Sequence, residues 1–249
     1  MIQTFNDLPL WAQVAAVCLH GFAVLGISLG FMCWLRIRSE SIQQLVPVAP
    51  FFVAISAIFS LLLAFHGSSI WSKQDRAEKA MVQEEMNLQR LRHLSHPDLL
   101  NQPELTFAVN QYALAVTQTE WRIVKTRHGT EATETALQKL RKTTISMGHD
   151  VSPAVHSYML RLLDDLVRSR EERLWLRAQP EELNIWTVIL LLGLLSNLAI
   201  ALVHLDKPKA CRLSLVLFGI ATSVTYWLLL SSEDPYQSLS TLDSTSLLR

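Results

Sequence analysis

Adjacent carboxylates are the residues of this sequence best suited to acid–base chemistry, and they occur as Glu84–Glu85 and Asp164–Asp165. General acid–base catalysis needs positioned groups that meet at one reacting centre. Both pairs fall in segments with helical spacing, where neighbouring side chains point about 100° apart. The two members of a pair therefore cannot serve one site equally well, and we interpret both pairs as solvated helix faces.

Histidine and cysteine do not form a metal-binding pattern. His93 and His96 share a helix face, but Pro97 follows at once and no third ligand is nearby. The three cysteines do not suggest a disulfide framework, because Cys18 and Cys33 lie in one apolar run and the polar part of the chain has none. We expect no bound metal.

Motifs that bind phosphate or activate a nucleophile are missing from the sequence. The chain has eight glycines, and neither Gly-x-x-x-x-Gly-Lys nor Gly-x-Ser-x-Gly occurs. The formal net charge is zero, so no overall field favours nucleic acid. We expect a protein that is not an enzyme, has no cofactor and binds no nucleic acid.

Four nearly uncharged runs dominate the composition, which is 50% apolar. Each approaches or exceeds the roughly 20 residues that cross a bilayer as a helix. The runs are Leu8–Leu35, Val46–Trp71, Ile185–Leu205 and Leu213–Leu230. They predict an all-α integral membrane protein with four transmembrane helices.

A polar segment with helical periodicity separates the second run from the third. It predicts a helical aqueous domain over residues 72–184, between membrane segments 1–71 and 185–230, and a Ser/Thr-rich tail over 231–249. The second run enters this domain without a Gly/Pro stop, as one rod to about Leu94. Further helices are expected from Glu104 to Arg127, from Thr130 as N-cap to before Gly148, and from Ser152 as N-cap to Pro180.

Basic residues near the membrane predict the orientation. The loops after the first and third runs carry fewer of them than the flanks of the polar domain. The loop residues are Arg36, Arg38, Lys207, Lys209 and Arg212, and the domain residues are Lys73, Arg76, Lys79, Arg90, Arg168, Arg170, Arg173 and Arg177. If only the short loops are counted, they would be cytoplasmic and the helical domain would lie outside. Because the flanks of the domain carry eight basic residues against five, we predict a plasma (inner) membrane protein whose helical domain is cytoplasmic.

The second run carries a bulky stripe at a spacing of four residues. It consists of Phe51, Ile55, Phe59 and Leu63. Copies of such a stripe around an axis would form an apolar constriction that gates by dewetting. The alternative is that the stripe packs against the other spans or lipid, and the residues alone leave both open.

Short motifs follow one another from the second run to the tail. They are Phe59–Phe65, Glu84–Glu85, Tyr112 with Glu120–Trp121, Arg170–Leu174 with Pro180, and Asp234–Tyr236. In this order they resemble the bestrophin-like family of bacterial and plant membrane proteins. The sequence departs from the family at Gln237–Ser238, where a small residue and glycine are expected.

The resemblance implies a fold related to bestrophins, in which subunits form a ring around an anion pathway lined by the second span. By position, the stripe Phe51, Ile55 and Phe59, extended to Leu63, would be the neck of that pathway. Glu84, Glu120 and Arg173 would be interhelical partners, which we interpret as a clamp because charges among packed helices must be paired.

Two functions follow from these patterns. The first is a homo-oligomeric channel, with a pentamer as the candidate ring, whose partners are the lipid bilayer and inorganic anions. The second is a non-conducting membrane scaffold or signalling protein that uses the helical domain to hold a partner.

Overall fold

The structure is a computed structural model that describes residues 8–38, 50–121, 129–179, 183–233 and 247. These residues form seven α-helices and no strand. The helices are α1 (Leu10–Arg38), α2 (Pro50–Leu94), α3 (Pro103–Ala115), α4 (Glu131–Ser146), α5 (Pro153–Arg177), α6 (Leu183–Val203) and α7 (Pro208–Ser232). The predicted all-α class is confirmed.

Four of these helices, α1, α2, α6 and α7, are long and apolar enough to cross a membrane. The shortest, α6, has 21 residues and therefore spans about 30 Å, the thickness of the hydrocarbon core. They coincide with the four apolar runs, so the prediction of a multi-pass membrane protein is confirmed.

The chain divides into two compact units. We call Met1–Ser72 with Glu181–Leu239 the membrane unit, and Lys73–Pro180 with Ser240–Arg249 the helical unit. The predicted rod is present: α2 is one helix of 45 residues that contributes to both units. The start of that rod at Val46, and the motif Asp234–Tyr236, lie outside the described residues.

Within the membrane unit, the close backbone approaches among the four apolar helices are those of α1, α6 and α7. Glycine permits two of them: a Cβ at Gly21 would lie 2.7 Å from Ser223 Oγ, and one at Gly193 would collide with Tyr226 Oη. Helix α2 joins this bundle through large side chains, among them Phe59 and Ile70. Its opposite face is exposed.

The helical unit has a core formed by α2, α3, α4 and α5, into which Leu247 also packs. Both predicted N-caps are present, since Thr130 Oγ1 accepts from the Thr133 N–H and Ser152 Oγ accepts from the Val155 N–H. The helix predicted from Glu104 to Arg127 is different: α3 gives way to a π-helical turn over Val116–Glu120. Residues 122–128 lie outside the described part.

Candidate functional site

Four charged side chains form a buried cluster in the core of the helical unit. Arg173 donates from Nε to Glu84 Oε2 at 2.7 Å and from Nη2 to Glu120 Oε1 at 2.6 Å. Arg170 donates from Nη2 to Glu120 Oε2, also at 2.6 Å. Glu84, Glu120 and Arg173 are completely buried, and Arg170 is nearly so, so the interpretation of Glu84 as part of a solvated helix face is wrong. The cluster joins α2, the π turn and α5.

The π turn orients Glu120 toward this cluster. In a regular α-helix, Glu120 would lie about 80° around the axis from Tyr112. A π turn accommodates about one extra residue, which returns Glu120 close to the inner face that Tyr112 occupies. Both side chains are fully buried as a result.

The charges of the cluster balance, as burial requires. Two carboxylates face two guanidinium groups, so none of the four is an isolated buried charge. Burial by itself raises the pKa of Glu120, but attraction to Arg173 and hydrogen bonds from Arg170 outweigh it and lower that pKa below its ordinary value. The pKa values of Arg170 and Arg173 are raised because their carboxylate partners outweigh their desolvation.

Tyr112 completes the hydrogen bonding of Glu84. Its hydroxyl donates to Glu84 Oε1 at 2.8 Å. Burial, together with the charge of Glu84, raises the pKa of Tyr112 well above its ordinary value, so the hydroxyl keeps its proton and remains a donor.

The edge of the cluster is also closely packed. Arg170 pairs with the half-exposed Glu134 at 2.9 Å, and the Arg173 guanidinium lies 5.3 Å from the ring centroid of Trp121. A Cβ at Gly129 would collide with Arg170 Nη2, so this position requires glycine. These contacts pair the charged groups with one another and favour a structural role.

The structure brings together the three residues predicted as a clamp, Glu84, Glu120 and Arg173. Sequence reasoning missed Arg170 and Tyr112 as members. Arg170 had a usable signal, because it precedes Arg173 by three residues and therefore shares its helix face.

Acid should destabilise this cluster through Glu120. Because its pKa is lower in the folded chain than the ordinary value of 4.5, its ionised form contributes stability above that pH, and the contribution is lost as the pH falls through the lowered pKa. We expect the thermal midpoint of the detergent-solubilised protein to fall on acidification below about pH 4.5, and less steeply in Glu120→Gln. The control is Glu172→Gln, which removes a half-exposed partner of Arg76. Parallel pH curves for the wild type and Glu120→Gln would contradict the assignment.

The stripe predicted as a neck does not form one exposed face. Phe59 is only 3% exposed, and its ring packs 6.1 Å from that of Phe218 and 6.4 Å from that of Tyr226. Ile55 and Leu63 are half-buried, and Phe51 is exposed. A pore residue must face away from its own subunit, so the choice of Phe59 is corrected.

Helix geometry explains this correction. Each step of four residues advances about 40° around an α-helix, so Leu63 lies about 120° from Phe51. The stripe therefore winds from the open face of α2 to the face that packs on the bundle.

A different set of side chains occupies the open face of α2. Ala54, Ile58, Leu61 and Phe65 follow spacings of four, three and four residues, which keep to one side of a helix. Ile58 is 60% exposed, Leu61 58% and Phe65 67%. We call these four residues the open stripe. It is wholly apolar.

Comparison with known proteins connects this architecture to one family. The model of the Bestrophin-like domain matches residues 17–242. No curated protein sequence matches the chain.

Solved structures show the same fold. Two crystal structures of single-substitution variants of a bacterial bestrophin homologue from Klebsiella pneumoniae superpose with TM-scores of 0.72 and 0.73 at 11% identity. The first alignment covers 93% of this chain and 96% of that one, and the second covers 95% of each. Another structure of a bestrophin homologue from this organism gives a TM-score of 0.66 at 13% identity, over 93% and 96% of the two chains. With a family match over most of its length and this fold, the chain belongs to the bestrophin-like family.

Proposed function

We propose that the chain assembles with copies of itself into a ring-shaped ion channel that conducts inorganic anions. The observation that carries this proposal is the open stripe on α2, in a chain whose family has channels rather than enzymes as members. The pentamer remains the candidate ring.

The arrangement of α2 in the membrane unit supports this function. The other three apolar helices approach one another closely, while α2 is attached along one face by residues such as Phe59. A second copy packed beside α2 would leave Ile58, Leu61 and Phe65 directed toward a common axis. A ring of such side chains is an apolar constriction, which gates by dewetting.

The charge cluster supports the same function from the helical unit. A pore-lining helix must hold a fixed rotation, because a turn of 100° would exchange the open stripe for other residues. Glu84 belongs to α2, and its bonds to Arg173 and Tyr112 fix the rotation of the distal part of that helix. We therefore assign the cluster a positioning role.

The orientation follows the basic residues. Lys73, Arg76 and Lys79 come directly after the apolar part of α2, in the helical unit. Positive charge next to a span favours the cytoplasmic side. We propose that the helical unit is cytoplasmic and that the channel resides in the plasma (inner) membrane.

The mass of the detergent-solubilised protein tests the ring. We expect one closed oligomer of fixed subunit number, because a ring has one geometry that closes. A monomer or dimer would contradict the channel and would favour the alternative of a scaffold that holds a partner.

Phe65→Ala tests the open stripe. Removing the phenyl group of Phe65 should widen the constriction and let water enter it. We therefore expect a higher basal conductance in planar bilayers from an oligomer of unchanged mass. Phe22→Ala is the matched control, because Phe22 is similarly exposed, at 71%, but lies on α1. Equal conductance in wild type, Phe65→Ala and Phe22→Ala would show that the open stripe does not line the pore.

A further inference from the structure

Three helices of the membrane unit border a small cavity that the channel proposal does not use, and several polar side chains contribute to its walls. It lies between α1, α6 and α7, and its walls include His20, Asn197, Ser223 and Tyr226. Such polar groups are unusual within apolar helices, because a buried polar group without a partner is strongly unfavourable there.

Two of these groups are buried and lack a hydrogen-bond partner among the described residues. Asn197 donates from Nδ2 to the Gly193 carbonyl at 3.0 Å, but its Oδ1 has no donor. The hydroxyl of Tyr226 also has no partner, although the side chain is only 4% exposed. One acceptor and one group that both donates and accepts thus belong to residues that line the same cavity.

The dimensions of the cavity suit a very small ligand. Its volume is about 10 Å³, close to the minimum that holds one water molecule. Glycine permits the close packing at this cavity, since a Cβ at Gly193 would collide with the Tyr226 hydroxyl and one at Gly21 would lie 2.7 Å from Ser223 Oγ. His20 approaches from α1, with its ring centroid 6.0 Å from that of Tyr226.

We infer that this cavity is a binding site for one water molecule that bridges Tyr226 Oη and Asn197 Oδ1 and thereby links α6 to α7. A water molecule donates to the amide oxygen and exchanges a bond with the phenol, which satisfies both groups. None of the described residues around the cavity is acidic, so a cation there would have no counter-charge. The ligand class is therefore neutral.

The sign of one stability change tests the inference. If water is bound, Tyr226→Phe removes a hydrogen bond, and the thermal midpoint of the full-length protein in detergent should fall by about 2–4 °C. If no water is bound, the same change removes an unsatisfied buried hydroxyl, and the midpoint should stay the same or rise. Tyr158→Phe, in the helical unit and 39% exposed, is the control and should leave the midpoint unchanged.

A density map of the wild-type protein supplies the second measurement. We expect one isolated peak within hydrogen-bond distance of both Tyr226 Oη and Asn197 Oδ1, and a thermal midpoint that does not change when choline replaces Na⁺. A map that resolves both side chains without a peak overturns the inference, whatever the stability of Tyr226→Phe. A midpoint that rises with Na⁺ overturns the neutral ligand and indicates a cation.

Discussion

Arg173→Met is expected to lower the free energy of unfolding by about 3–5 kcal/mol, the usual effect of removing one partner of a buried ion pair. Arg173 bonds both Glu84 and Glu120, and all three side chains are fully buried. After the substitution, Glu120 keeps Arg170, but among the described residues Glu84 keeps only the Tyr112 hydroxyl. One neutral donor offsets little of the desolvation free energy of a buried carboxylate, so the folded state of the variant is destabilised.

Denaturation of the full-length protein in detergent, followed by circular dichroism, measures this change. Arg76→Met is the matched control, because Arg76 pairs with Glu172 at a similar distance of 2.9 Å but at the surface. Exposed pairs contribute about 0–1 kcal/mol, so the control should change little. Similar losses in the two variants would show that the cluster has no special weight in the stability of the helical unit.

Phe59→Ala is expected to lower the free energy of unfolding by about 3–5 kcal/mol because it leaves a cavity in a packed interior. The ring of Phe59 contacts those of Phe218 and Tyr226, and it belongs to the cluster that attaches α2 to the bundle. The loss should therefore loosen the contact of α2 with its own subunit.

Phe65→Ala is the control for this substitution, since it removes the same ring from the same helix at a position that is 67% exposed. We expect a change within about 0.5 kcal/mol, as is usual for exposed positions away from special features. The two variants thus separate two roles: Phe59 should affect stability and Phe65 conductance. Equal destabilisation would contradict the burial difference between the two faces of α2.

Much of the fold could be predicted because membrane helices have a direct signal in sequence. Each uncharged run has about the length that a bilayer requires. The ends of the first, third and fourth runs agree with the observed helices to within five residues, and α2 continues beyond its run to Leu94, as the predicted rod does. The N-caps at Thr130 and Ser152 were also readable, since a hydroxyl before a helical pattern supplies the missing acceptor.

The candidate site was only partly readable, for two physical reasons. A spacing of exactly four residues drifts around the helix, so Phe51 and Leu63 end on different faces of α2. The π turn over Val116–Glu120 brings Glu120 into contact with Arg173 on another helix. Local residue types do not predict such a turn, because it accompanies a tertiary contact. Sequence reasoning also missed Tyr112 as a partner of Glu84, because their contact joins two different helices and local spacing does not predict such a contact.

The reversal potential of the purified protein in a planar bilayer, under a potassium chloride gradient, tests the central claim most directly. We predict currents from an oligomer of fixed mass, with a reversal potential close to the chloride equilibrium potential. Reversal at the potassium potential would contradict anion conduction. A ring of confirmed mass that passes no current across pH, calcium and voltage would contradict the channel itself.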